Sequence, residues 1–346
     1  MNKLFLFFFF LSSVGCEQKI TSEFDDVKYY GEDSFIIEGT DITDSLKESR
    51  YDRLPISYKK NVRKPVWDLS KNSAGLSIRF LSNSSLLTVK WEVLNNFKMD
   101  HMPETGIKGV DLYFKNEYKL SENMTNKLRE YKIYLPLYDG IKKIEIGIDN
   151  LSFIKKPKKN NKKPIIFYGT SITQGCCASR PGMAHTNIIS RKLDRDVINF
   201  GFSGNGIMEK SISELISESD PLFYVIECMP NMISPELITT NTIPLVDTIR
   251  KRNPDTPIIL VDLFTTSHTI LDNTLDNLKN EMNNTLNNEY QKMIQRGYKN
   301  IIYLESKNAL GDDFEGTVDG VHFTDLGFIR YSDYLLNNFN EYNLIK

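Results

Sequence analysis

The chain has 346 residues, 40% hydrophobic and 25% charged, which is enough apolar material for a sizeable core and too much for wholesale disorder. Its formal net charge of -2 gives no reason to expect nucleic acid or another polyanion as a partner. Four cysteines exclude a disulfide scaffold, and no apolar run reaches the roughly 18 residues needed to span a bilayer.

Residues 1–16 read MNKLFLFFFFLSSVGC: a basic Lys3, an apolar run over 4–11, small residues over 12–15, then Cys16. This predicts an export signal over 1–15 that is too short to remain as an anchor helix. The Gly15-Cys16 junction resembles the cleavage box of bacterial lipoproteins, which implies lipidation of Cys16 and an envelope protein held on a membrane by acyl chains. The alternative is an ordinary signal peptide with an incidental cysteine, and a soluble periplasmic or secreted product.

From residue 16 to 155 the apolar pattern has period two. Leu76, Ile78 and Phe80 alternate with polar residues, as do Leu87, Val89, Trp91 and Val93, and then Val110, Leu112 and Phe114. Tyr131, Ile133 and Leu135 follow, then Ile144, Ile146 and Ile148. Each run is a strand with one buried face, and many such strands between polar turns predict a β-sandwich. Trp67 and Trp91 are expected in its core. Residues 156–163, within KKPKKNNKK, read as a solvated linker.

From 164 to 346 the pattern changes. Near-continuous apolar strands at 165–168, 197–200, 222–227, 258–262 and 301–304 alternate with helices at 187–193, 208–217, 245–250, 276–296 and from about Thr324. Five such repeats predict an α/β domain of three layers with a parallel five-stranded sheet.

Sites in open α/β sheets form beyond the carboxyl ends of the strands. There the chain carries Gly169-Thr170-Ser171, then Ser203-Gly204-Asn205, then Pro230-Asn231, and finally Asp319-Gly320-Val321-His322. A serine hydroxyl needs a base, His322 can be that base, and Asp319 is close enough in sequence to fix the imidazole tautomer. Acyl transfer also needs donors for an oxyanion, available from the backbone of Ser171 and Gly204 and the side-chain amide of Asn231. Asn231 could instead cap the helix that follows.

GTSITQG, GFSGNG and DGVH are similar to the serine, glycine and histidine blocks of the SGNH hydrolases, or GDSL-type esterases, over 164–340. GVDLY at 109–113, with VWDLSKNSAG at 66–75 and MPETG at 102–106, resembles the GxDLY domain that precedes some of them. Two blocks depart from the family's pattern: Thr170 stands where better-known members have Asp, and Cys228 and Met232 flank Asn231. The resemblance implies a serine esterase with catalytic Ser171, His322 and Asp319 that acts on small acyl groups, acetyl foremost, carried by carbohydrate. It implies a jelly-roll-like sandwich ahead of a flavodoxin-like sheet, with no metal or organic cofactor and no nucleic-acid partner. A lysophospholipase or thioesterase, and a non-catalytic glycan-binding surface lipoprotein, are the rival readings. Among the other histidines, His185 reads as structural, His268 as a loop residue near the site, and His101 has no assigned role. Asp262 is a weaker competitor of Asp319. No His/Cys spacing suggests zinc, and a bridge from Cys176 or Cys177 to Cys228 is an open option.

Overall fold

The computed structural model describes residues 27–114 and 125–345. The expected export signal and Cys16 lie outside them. No helix among the described residues is long and apolar enough to cross a membrane.

The first half holds strands β1 (Val27–Tyr30), β2 (Ile36–Glu38), β3 (Ser77–Ser82), β4 (Leu87–Val93), β5 (Asp111–Phe114), β6 (Arg129–Tyr134), β7 (Ile141–Asp149) and β8 (Ile154–Lys155). They pair antiparallel into two sheets, β1-β7-β4 and β2-β3-β6-β5, with β8 added beside β3. Period-two alternation turns one row of each sheet inward. Ile78, Phe80, Tyr131 and Ile133 from one sheet meet Ile144, Ile146 and Ile148 from the other, forming the core of a β-sandwich.

The second half holds β9 (Ile165–Gly169), β10 (Val197–Gly201), β11 (Phe223–Glu227), β12 (Ile258–Val261) and β13 (Ile301–Leu304). They form one parallel sheet in the order β10-β9-β11-β12-β13. Its strands are apolar on both faces because both are covered. Ile166, Tyr168, Phe200, Tyr224 and Leu260 point to one side, and Ile165, Phe167, Phe223, Val225 and Ile259 to the other. The order reverses around β9, which opens a crevice at the strands' carboxyl ends, the expected place for a site.

Short helices α1 (Lys64–Leu69) and α2 (Glu104–Ile107) belong to the first half, and α3 (Ser171–Gln174) follows β9 directly. Helices α4 (His185–Leu193), α5 (Lys210–Ser217), α6 (Pro235–Arg250), α7 (Ser267–Leu271), α8 (Asn273–Gln295) and α9 (Asp325–Glu341) complete the fold. Helix α6 starts well before the expected 245, at Pro235, because the Ser234 hydroxyl accepts from Leu237 N–H and proline suits the first helical position.

The two halves are packed together over a broad face, and the tryptophans report it. Trp67 is only 7% exposed, yet it lies on α1 against the α/β sheet rather than inside the sandwich. Trp91, expected in the core, is 42% exposed, with its indole N–H donating to the Lys108 carbonyl at 2.9 Å. Its polar N–H is satisfied at the surface, where the ring stays half in solvent.

The GVDLY strand has two working faces. Leu112 and Phe114 lean on the sandwich core, while Asp111 and Tyr113 are buried against the other half. Asp111 accepts from Arg180 at 2.5 Å and from the Gly182 N–H at 2.9 Å, and Tyr113 Oη accepts from Arg180 at 2.7 Å. The other two blocks dock in the same way. A Cβ on Gly106 would fall 2.1 Å from the Ala178 carbonyl, and one on Gly75 would fall 2.4 Å from Asn199 Cβ. Only glycine permits these approaches.

Candidate active site

Strand β9 ends at Gly169, and the chain turns straight into α3. Thr170 caps this helix, its hydroxyl accepting from Ile172 N–H at 3.3 Å. This is the position where the resembled family carries Asp, and either side chain can do the capping. The cap leaves Ser171 as the first helical residue, 6% exposed.

The loop after β13 brings in the partners. Ser171 Oγ lies 2.9 Å from His322 Nε2, and His322 Nδ1 lies 2.7 Å from Asp319 Oδ2. With Nδ1 donating to the carboxylate, Nε2 carries the lone pair that faces the serine hydroxyl. Asp319 also accepts from the backbone N–H of Val321 at 3.0 Å and of His322 at 2.8 Å. Partial burial pushes this carboxyl up, but the hydrogen bonds from His322 and the backbone outweigh it and hold it down at about 2.

Gly204 follows β10 with φ +66°, and nothing stands within 4 Å of where a Cβ would be, so its backbone faces open space. Gln174 anchors that loop by accepting from Ser203 N–H at 3.0 Å while donating to the Leu137 carbonyl. Asn231 sits in a short 3₁₀ turn just beyond β11. Its Oδ1 accepts from Gly206 N–H at 3.1 Å, which turns its NH₂ the other way. Asn231 does not cap α6, because Ser234 does.

The remaining candidates separate clearly. His185 is fully buried, stacked on Phe328, with Nε2 3.0 Å from Glu227 Oε2. Asp262 accepts from the backbone and hydroxyl of Ser306 and from Tyr303 Oη, and so is held away from His322. His268 lies on α7, not in a loop, and its ring abuts Gly320 in the turn that carries Asp319. Cys176, Cys177 and Cys228 are all free thiols; Cys228 packs on one side of the sheet and the vicinal pair on the other, which excludes a bridge between them here.

Three residues that matter were missed. His101, in the loop before MPETG, has its ring centroid 5.5 Å from that of His322. Its neighbourhood to a docking block was the available signal. Arg53 is buried and donates to the carbonyls of Asn72, Leu69, Asn199 and Gly201, tying the first half to the end of β10. Glu227, at the end of β11, accepts from Thr173, His185 and Tyr331 beneath the nucleophile turn. No local pattern marks either of these two.

The profile of the GDSL-like lipase/acylhydrolase family matches residues 162–339, and that of the GxDLY N-terminus of SGNH-hydrolase-type esterases matches 27–120 and 114–154. Among solved structures, a Bacteroides ovatus protein assigned to the GDSL-like lipases is 32% identical, covers 92% of this chain and 99% of its own, and superposes with a TM-score of 0.86. A salicylyl-acyltransferase from a tetracycline biosynthetic pathway shares the fold at 14% identity, with 93% and 99% covered and a TM-score of 0.78. A family two carbohydrate esterase from Cellvibrio japonicus shares it at 11% identity, with 91% and 97% covered and a TM-score of 0.58. No curated protein matches. A serine–imidazole–carboxylate line at the crevice, on a fold matched over nearly its whole length, makes this chain a member of the GDSL-like lipase/acylhydrolase family with a GxDLY N-terminal domain, a carboxylic ester hydrolase.

Proposed function

We propose that the protein removes small acyl groups, acetyl foremost, from carbohydrate through an acyl-enzyme on Ser171. The observation that carries this is the unbroken line Ser171 Oγ, His322 Nε2, His322 Nδ1, Asp319 Oδ2, with steps of 2.9 and 2.7 Å across its two hydrogen bonds. His322 takes the Ser171 proton as Oγ adds to the ester carbonyl carbon. The resulting oxyanion accepts from the N–H groups of Ser171 and Gly204 and the NH₂ of Asn231. Collapse expels the alcohol, which leaves with the proton from His322. Water then repeats the cycle, releasing the carboxylic acid and restoring Ser171. The carbohydrate part of the reading draws on the family two carbohydrate esterase of the same two-part fold. The envelope location draws on the Cys16 junction, with acyl chains on Cys16 holding the enzyme to a membrane face.

One feature favours a bulkier acyl group as the second reading. Beside the Asp319 turn lies an open depression of about 370 Å³, lined by Met229, Met232, Ile233, Leu278, Val321 and their neighbours. Turnover of p-nitrophenyl esters of increasing chain length, together with acetate release from acetylated glycans, separates the two. Ser171→Ala should abolish all of it, by about 10³-fold or more, with an unchanged melting temperature. A folded variant that still turns over acetyl ester removes Ser171 from the mechanism.

A further inference from the structure

The imidazole of His322 has neighbours that ester hydrolysis does not use. Cys176 and Cys177 follow Gly175, the C-cap of α3, and the Cys176 N–H donates to the Ser171 carbonyl at 2.9 Å, so the thiols are positioned by the nucleophile turn itself. Cys176 Sγ lies 3.2 Å from Cys177 Sγ and 3.7 Å from His101 Nε2. One ligand atom from each of His101, Cys176, Cys177 and His322 falls within 4.8 Å of all the others.

Four points on this cluster suit a metal. A tetrahedral zinc ion with two sulfur and two nitrogen ligands sets those atoms about 3.3–3.8 Å apart. The contacts of 3.2 and 3.7 Å already stand near that range, and the 4.8 Å bound leaves modest side-chain rotations to close the rest. Thiolate with imidazole selects zinc-like ions over magnesium or calcium. Asp319 holds His322 Nδ1, so the free lone pair is on Nε2, the carboxylate–histidine arrangement that orients metal ligands. Finally, His101 is exposed and His322 partly so, while both thiols are buried, which gives an ion a solvent-side entry onto soft donors.

We propose that His101, Cys176, Cys177 and His322 form an inhibitory site for a thiophilic divalent cation of the zinc class, contributed jointly by the two halves of the chain. The inference rests on the reading of His322 as the general base. Binding draws off the two thiol protons to solvent, and two thiolates balance the ion's charge. The His322 Nε2 lone pair passes to the metal, and its hydrogen bond to Ser171 Oγ breaks. No electron is transferred, so a chelator reverses the state.

The test uses the reduced full chain. Cobalt(II) added at one equivalent should give thiolate-to-metal absorption in the near ultraviolet and the intense visible bands of a tetrahedral site, both erased by zinc. Zinc should suppress p-nitrophenyl acetate turnover, with recovery on adding EDTA. His101→Ala and Cys177→Ser should keep metal-free turnover within about twofold and need about 100-fold more zinc for half-inhibition. His101 is exposed, so its removal leaves the fold intact even if the buried Cys177 variant does not fold. Cobalt bound without thiolate absorption, or zinc inhibition unchanged in His101→Ala, overturns the site and leaves the thiols as core filling. Cobalt bound with turnover unaffected overturns the inhibitory role. A wild type that binds cobalt but turns over no ester overturns the esterase reading, and the inhibitory role with it, while the metal site stands.

Discussion

Asn231 has one observed bond and one proposed role, and two substitutions at that position tell them apart. Its Oδ1 accepts from Gly206 N–H at 3.1 Å and so braces the loop that carries Gly204. Its NH₂, turned away by that bond, is the proposed third donor to the oxyanion. Asn231→Ala loses both. The bracing bond is neutral and partly buried, about 1 kcal/mol, which lowers the melting temperature by about 2 °C in a chain of this size. Loss of an oxyanion donor costs about 3 kcal/mol in the transition state, which lowers kcat by about 10²-fold with little change in KM. Asn231→Asp keeps an acceptor for Gly206 and so keeps the loop, but it loses the donor and sets a negative charge against the oxyanion. Its melting should stay near wild type while kcat falls at least as far as in the alanine variant. Steady-state kinetics on p-nitrophenyl acetate and thermal melts of both variants give the answer. An aspartate variant with wild-type kcat, or an alanine variant that melts lower but turns over normally, would refute the donor role and leave only the brace.

Three further outcomes follow from the same geometry. Asp111→Ala removes the carboxylate that Arg180 and the Gly182 N–H both donate to, and because Arg180 is partly exposed and keeps Tyr113 Oη the cost should be about 2 kcal/mol rather than the 3–5 of a fully buried pair; Asp111→Asn should lose much less, and equal melting temperatures for the two would contradict the clamp. Asp319 is held at about 2 when folded against about 3.9 unfolded, so its contribution to stability is present above pH 4 and lost as pH falls from 4 towards 2; acid melts of Asp319→Asn should be flatter than wild type across that window, and parallel curves would contradict the assignment. Cys16→Ser should move the protein from the membrane fraction to the soluble one, whereas a wild type that is already soluble and begins at another residue contradicts lipidation.

The α/β half was legible because its physics is local. Strands covered on both faces are apolar almost end to end, as in IIFYG and FYVIE, so their ends could be located and the residues beyond them read as a crevice. Asp319 and His322 are three residues apart on one turn, and their pairing needs nothing distant. The tryptophans show where this fails. Both have apolar residues within two positions along the chain, yet burial depends on what lies across from them: the α/β sheet for Trp67, largely solvent for Trp91. The same limit hid His101, which is 75 residues from the cysteine it faces, and Arg53, which is 146 and 148 residues from the carbonyls of β10.

Placing the motif blocks in space changes what the N-terminal domain is for. Asp111 and Tyr113 hold Arg180, Thr105 Oγ1 donates to the Ser179 carbonyl at 2.6 Å, and Gly106 admits the Ala178 backbone. All four contacts fall on the segment 178–182, just after the nucleophile turn and the vicinal cysteines. On the opposite side, Arg53 and Gly75 meet β10, whose end leads into the Gly204 loop. The N-terminal half therefore grips both the segment just after the nucleophile turn and the strand that leads into the Gly204 loop. A burial this polar is costly unless every group is paired, and it constrains position more tightly than an apolar face would. It follows that the N-terminal half braces the catalytic half at these two places, and that Asp111 and Tyr113 of its signature are set by the segment they hold rather than by the sandwich they belong to.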